Sequence, residues 1–181
     1  NQNKIQRKDL PAIEGSGRRS NGYLILSPVQ HWSELDESYL KTIEARYAPT
    51  PLLTTVAQSI VGKTSNKSEQ LKRLFKTVQQ RIHYIGLEMG DHSRTPSWAE
   101  DVWRRRLGDC KDKATLLIAL AKTLDIELKF TLVRTRLLPT IKYGLPTLAL
   151  FDHALIYAPS MQRYLDPNGR RQLKLMEPIV H

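Results

Sequence analysis

The chain has 181 residues, of which 40% are hydrophobic and 25% are charged, so it is long enough for one domain with a full core and is neither disordered nor fibrous. Its net charge of +10 would suit an anionic partner, but the basic residues are dispersed and aromatic residues make up only 7%, which argues against nucleic-acid binding. A single cysteine excludes an internal disulfide and a multi-cysteine zinc site, and no apolar run reaches the roughly 20 residues that cross a bilayer.

The first half of the chain predicts a polar leader followed by three helices. Residues 1–22 are polar and rich in glycine and serine, and we interpret them as a linker or edge segment; residues 23–27 favour β-structure and predict a short strand. Apolar residues at helical spacing then predict three helices: one capped at Ser33 that runs toward Pro49, one from Pro51 to Gly62, and one capped by Ser65 or Asn66 that runs toward Tyr84.

The second half changes from helical to strand periodicity. A loop over 86–96 precedes a short helix over 98–106, and apolar residues three and four apart predict a helix from Cys110 to Leu124 that is buried along one side. Alternation over 126–133 predicts a strand, 135–148 reads as a longer loop, and 151–157 and 163–166 predict two further strands. Helices followed by strands indicate an α+β fold.

Cys110 is the candidate nucleophile because of its position at a predicted helix start. Asp109 is a favoured N-cap residue, which places Cys110 first in the helix and Asp112 third. Free backbone N–H groups and the helix dipole favour the thiolate there and can donate to an oxyanion. Lys111 and Lys113 add positive potential that the two aspartates partly cancel. The alternative is that Cys110 is a small buried hydrophobic residue.

His153 is the candidate base among five histidines. It lies inside the apolar strand FDHALIY, whereas the others occupy polar, terminal or helix-end stretches: His31, His83, His92 and His181. A histidine on an apolar strand face can also be purely structural. A nearby acidic partner would favour the catalytic interpretation.

Asp166 is that partner if the last two strands form an antiparallel hairpin. A turn centred between Pro159 and Ser160 places position 153 directly opposite position 166, with Cβ atoms roughly 4.5–5.5 Å apart. A carboxylate there would fix the imidazole tautomer and stabilise the imidazolium. A register shift of one residue would break this pairing. Asp166 also begins a DPNG turn, and the two roles are compatible.

Three segments together resemble a known family. RTPSWAEDVWRRRLGDCKDKATLLIALAKTLDI, FDHALIY and YLDPNG resemble the bacterial transglutaminase-like proteins, whose core shares the papain-like cysteine-protease fold, over about residues 25–175. The matching residues are Gly108-Asp109-Cys110, His153 and Leu165-Asp166-Pro167. The resemblance implies a papain-like core with N-terminal helices, a buried helix that carries the nucleophile, and an antiparallel β-sheet.

The resemblance also implies an activity and a setting. The activity is acyl transfer or hydrolysis at a glutamine or peptide amide of a protein, through a Cys110–His153–Asp166 triad and a thioester, with no cofactor and no metal. An upstream aromatic oxyanion donor is expected, with Tyr84 the first candidate and Trp98 the second. Residues 1–27 would be the tail of a preceding β-rich domain, 28–181 the catalytic core, and the location periplasmic or in the cell envelope.

Two alternatives are open at this point. The chain could be a non-catalytic binding module that uses its basic surface for an anionic partner, although such a role would not require a cysteine, a histidine and an aspartate in these positions. Alternatively, Cys110, His153 and Asp166 could bind zinc, which would need a further open position.

Overall fold

The computed structural model describes Ser27 and residues 29–86, 94–135 and 145–169. These residues contain five α-helices: α1 (Trp32–Glu44), α2 (Pro51–Val61), α3 (Lys67–Arg81), α4 (Ala99–Arg105) and α5 (Cys110–Lys122). They also contain five strands: β1 (His83–Tyr84), β2 (Leu107–Gly108), β3 (Lys129–Val133), β4 (His153–Ala158) and β5 (Arg163–Leu165). No helix in this part of the chain is long and apolar enough to cross a membrane.

Several predictions fall wholly or partly outside the described residues. They include the leader over 1–27 with its strand over 23–27, apart from Ser27, and much of the two predicted loops. His92 and His181 also lie outside. These expectations stay predictions.

Helices α2 and α3 begin and end close to where their sequence signals predict. Thr50 caps α2 by accepting a hydrogen bond from the Leu53 N–H at 3.2 Å, and Pro51 stands where a missing N–H costs nothing. Asn66 caps α3 by accepting from the Glu69 N–H at 3.1 Å. The predicted capping of the third helix is confirmed for Asn66.

The predicted start of the first helix and end of the third are wrong by a few residues. Helix α1 begins at Trp32, one residue before the predicted Ser33 cap, and the Glu34 carboxylate instead accepts from the Gln30 N–H at 3.2 Å. Beyond α3, Ile82 is extended but still buried, so the apolar stripe continues after the helix has ended. His83 therefore belongs to β1, which pairs in parallel with β2.

Helix α5 lies at the centre of the molecule, and its predicted start at Cys110 is confirmed. The helix is buried, as predicted, and its burial extends beyond the one side that the apolar pattern marks, because every residue from Cys110 to Ala121 is buried. Helices α2, α3 and α4 and strands β3 and β4 all pack against it. Each large apolar side chain buried in this way contributes roughly 1.5–3 kcal/mol. The helix is thus a rigid support for its first residue.

Strands β3, β4 and β5 form an antiparallel sheet in that order, which confirms the α+β fold. The pairing of β4 with β5 differs from the predicted register by two residues, since Ile156 faces Leu165 and not Arg163. The turn is longer than predicted: a 3₁₀ turn over Pro159–Met161 is followed by Gln162 at φ 52°. A shift of two residues leaves each side chain on its predicted face.

Candidate active site

The start of α5 is fixed by a reciprocal capping box. The Asp109 carboxylate accepts from the N–H groups of Lys111 (2.9 Å) and Asp112 (3.1 Å), and the Asp112 carboxylate accepts from the Asp109 N–H at 3.3 Å. The sequence predicts that the first amides of the helix can donate to an oxyanion. Two of them are used by the cap, and the Cys110 N–H stands outside this box.

A second set of contacts ties this cap to the neighbouring chain. Asp112 accepts from the Ser97 N–H at 2.7 Å and forms an ion pair with Arg105 at 2.8 Å. Lys111 is buried and forms an ion pair with Asp109 at 2.5 Å. The predicted positive potential of Lys111 is therefore largely neutralised locally, while the network holds the helix start in one geometry.

Gly108 fits this site because it has no side chain. A Cβ at position 108 would lie 2.7 Å from the Asp112 Cβ and 3.3 Å from the Val102 Cγ1. We expect Gly108→Ala to lower the free energy of unfolding by about 1–3 kcal/mol, because the cap must move to relieve the overlap. Urea unfolding measures this. Gly86→Ala is the matched control, since its Cβ would meet no atom of the described residues within 4 Å; equal stability of the two variants would contradict the expectation.

His153 and Asp166 form a partly buried hydrogen-bonded pair. The His153 Nε2 lies 3.0 Å from the Asp166 Oδ2, and the two side chains are 21% and 16% exposed. The hydrogen bond to Asp166 and a second one to Cys110 raise the pKa of His153 to about 10, against the opposing effect of burial. Burial raises the pKa of Asp166, but its hydrogen bonds with His153 and the Asn168 N–H hold that pKa below its usual value. The pair is thus imidazolium and carboxylate at neutral pH.

The structure brings together the three residues that the sequence analysis singled out. Because Nε2 of His153 faces Asp166, Nδ1 is the ring nitrogen available to the Cys110 sulfur. Cys110 is 8% exposed and, with His153, lines a cavity of about 300 Å³. His153 stands at the start of β4 and Asp166 directly after β5, so the sheet presents both to the tip of α5.

The two oxyanion candidates lie away from this cavity. Tyr84 is in β1 and 55% exposed, and Trp98 is 47% exposed, with the Arg46 guanidinium 4.6 Å from its ring centre. Neither is among the described residues that line the Cys110 cavity. Their proposed role stays a prediction.

Tyr39 is a site residue that the sequence analysis assigned only to an apolar helix face. Its side chain lines the cavity, and its hydroxyl donates to the Arg94 carbonyl at 2.8 Å. Burial raises its pKa, and the charges of Cys110 and Asp109 add to this effect. An apolar helical pattern does not separate such a tyrosine from a core residue, although a buried hydroxyl always needs a partner.

The described residues give no support to a zinc site. Across residues 29–86, 94–135 and 145–169, no group of three or more histidine, cysteine, aspartate or glutamate side chains is arranged to hold a metal ion.

Residues 54–144 match the family described as the transglutaminase-like superfamily, which is half of the chain. The matched segment contains Cys110 but ends before His153 and Asp166. A search of curated proteins finds no match.

Two solved structures are similar to this chain. One is a putative protease from Parabacteroides distasonis (TM-score 0.58, 19% identity, 72% of this chain), and the other a putative cysteine protease from Cytophaga hutchinsonii (TM-score 0.48, 21% identity, 70% of this chain). The chain spans 26% and 42% of those two proteins. The likeness to the first supports the fold.

Proposed function

Because the chain belongs to the transglutaminase-like superfamily, we propose that it is a cysteine-dependent enzyme that acts on protein amide bonds through Cys110, His153 and Asp166. The observation that carries this proposal is one imidazole that is hydrogen bonded to a carboxylate and lines the same cavity as a thiol at a helix tip. A nucleophile, a base and an orienting acid in this order are the parts that covalent catalysis requires.

The first half of the proposed reaction forms a thioester. In this step the Cys110 thiolate, whose proton is held by the His153 imidazolium, attacks the carbonyl carbon of a glutamine side-chain amide or a peptide bond, and the carbonyl electrons move onto oxygen. The donor that we propose for that oxyanion is the Cys110 N–H, which the capping box does not use. When the oxyanion collapses, the C–N bond breaks and the His153 imidazolium gives its proton to the leaving nitrogen.

The second half releases the acyl group. Water or a primary amine attacks the thioester, His153 takes the proton from the attacking atom, and the C–S bond breaks to restore the Cys110 sulfur. Water gives hydrolysis and an amine gives transamidation. In both halves Asp166 holds the imidazole in orientation and stabilises its protonated form.

The test is an assay that measures hydrolysis and transamidation in one sample. Casein is incubated with the protein and a fluorescent primary amine, and ammonia release, new amino termini and amine incorporation are measured together. We expect ammonia or new amino termini to appear, and prior treatment with iodoacetamide to abolish them, because the sulfur is the attacking atom. Turnover that survives complete alkylation of Cys110 would contradict the proposal, as would no turnover across a broad set of protein substrates.

A further inference from the structure

A second cavity of about 250 Å³ adjoins the one that contains Cys110. We call it the aromatic groove. It lies between α1 and β3, and its walls include Trp32, Leu35, Leu40 and Phe130. Four residues line both this groove and the Cys110 cavity: Tyr39, Leu132, Leu148 and Phe151. The two spaces therefore lie next to each other and share a mostly apolar wall.

The side chains of the groove are apolar but are not sealed from water. Trp32 is 46% exposed and meets Phe151 edge to face, with 6.0 Å between ring centres. The apolar alternation that buries Ile126 and Leu128, just before β3, continues into the strand at Phe130 and Leu132, which are only partly buried and line the groove. Partly exposed aromatic and aliphatic walls around a concave space are typical of ligand-binding sites.

The polar residues in the lining of the groove limit which side chains it can bind. Its polar lining residues are Asp36, which is exposed, and Thr131. An exposed carboxylate in the lining repels an acidic group, and the apolar wall offers no partner to a buried charge. The groove therefore suits an uncharged apolar side chain and disfavours an acidic one.

We propose that the aromatic groove is a specificity pocket that binds an apolar or aromatic side chain of the protein substrate, next to the amide that reacts at Cys110. This proposal rests on the proposed function, because the side chain in the groove is identified by its position in the substrate, next to the carbonyl that reacts at Cys110. The shared wall is the reason for this occupant: a chain whose carbonyl lies at Cys110 passes its neighbouring side chain across Leu132 and Phe151.

The experiment uses electrophilic probes that differ only in the side chain concerned. Chloromethyl ketones of the form acetyl-X-Gly, with X as Phe, Leu, Gly or Asp, are reacted with the full chain, and the rate of Cys110 labelling is followed by intact mass. We expect the Phe and Leu probes to label about tenfold faster than the Gly probe, because a filled apolar pocket discriminates by that order. The Asp probe is expected to be the slowest.

Substitutions test whether the preference for the Phe and Leu probes comes from the aromatic groove. Trp32→Ala is expected to bring the Phe-to-Gly rate ratio to within about threefold of one, because it removes one wall, and Trp32→Phe is expected to restore most of the ratio. Ile85→Ala, at a similarly exposed apolar residue (39%) that lines neither cavity, is the control and should keep the wild-type ratio. Because the ratio compares two probes on one protein, changes in thiol reactivity cancel.

The possible outcomes distinguish a failure of the pocket proposal from a failure of the proposed function. Equal rates for the Phe and Gly probes in the wild-type protein, or an unchanged ratio in Trp32→Ala, would overturn the pocket even if the casein assay shows turnover. A strong ratio that Trp32→Ala abolishes, in a protein with no amide turnover, would support the groove as a binding site and overturn the proposed reaction.

Discussion

Replacing Cys110 with alanine is expected to lower amide turnover by at least about 10⁴-fold, because no other atom in the site can form the thioester. The thiol is nearly buried at the first position of α5, and its neighbours in the capping box do not depend on its sulfur. The fold should therefore survive with a loss of no more than about 1 kcal/mol. Turnover of casein is the measurement, and thermal unfolding of the variant checks that the protein is intact.

Cys110→Ser serves as the matched control for shape. It keeps a hydrogen-bonding group of similar size beside His153 but replaces the sulfur with a weaker nucleophile, so it should be nearly as inactive as the alanine variant. A Cys110→Ala protein that is folded and turns over casein within tenfold of the wild type would show that the thiol is not the attacking group.

Replacing Asp166 with asparagine is expected to lower turnover by about 10²- to 10⁴-fold while leaving the fold intact. The amide oxygen can still accept the Asn168 N–H that Asp166 Oδ1 accepts at 2.8 Å, so the turn after β5 is retained. The neutral amide does not stabilise an imidazolium. Since the hydrogen bond to Asp166 is the largest cause of the raised His153 pKa, the variant should have a lower His153 pKa.

The lower His153 pKa in Asp166→Asn should change how turnover depends on pH. In the wild-type protein His153 stays protonated as pH rises to about 10, so the proton for the leaving nitrogen is present throughout the neutral range. Asp166→Asn removes the largest cause of the raised His153 pKa, so that proton is lost at lower pH than in the wild type, and turnover should decline at lower pH as well. Asp101→Asn, at an exposed aspartate of α4, is the control and should leave the profile unchanged. Identical profiles for Asp166→Asn and the wild type would contradict the role of this carboxylate.

The start of the helix that carries Cys110 can be predicted from neighbouring residues in the sequence. The residues that surround the site are brought together by tertiary contacts and cannot be predicted in this way. The capping box at Asp109 and Asp112 is encoded within four residues, so the start of α5 follows from the sequence alone. The predicted closeness of His153 and Asp166 depends on a strand register that differs from the observed one by two residues. The two side chains still lie on the same face of the sheet, because side chains alternate faces with a period of two.

Tyr39 and the aromatic groove could not be predicted in the same way. Tyr39 fits the apolar stripe of α1, and only the approach of Arg94 and of the α5 tip distinguishes it from a core residue. The groove is formed by residues from α1, β3 and the segment before β4, which lie far apart in the chain, from Trp32 to Phe151. Periodicity indicates which side chains are apolar but not which of them remain open to solvent.

Two expectations from the resemblance stay predictions. They are the assignment of residues 1–27 to the tail of a preceding β-rich domain and the periplasmic or envelope location. The basic surface that motivated the binding-module alternative also stays without an assigned partner, and two of the lysines that contributed to it, Lys111 and Lys113, are buried in α5.

The central claim is that one imidazole is shared by a sulfur and a carboxylate, and the ionisation of His153 tests it most directly. We would follow the ring by nuclear magnetic resonance in isotope-labelled protein, with His153→Gln used to assign its signals. The account predicts that the ring stays an imidazolium through neutral pH, titrates near pH 10, and loses its proton at lower pH in both Cys110→Ala and Asp166→Asn. A ring that titrates near 6.5 in the wild-type protein, and is unaffected by either substitution, would contradict it.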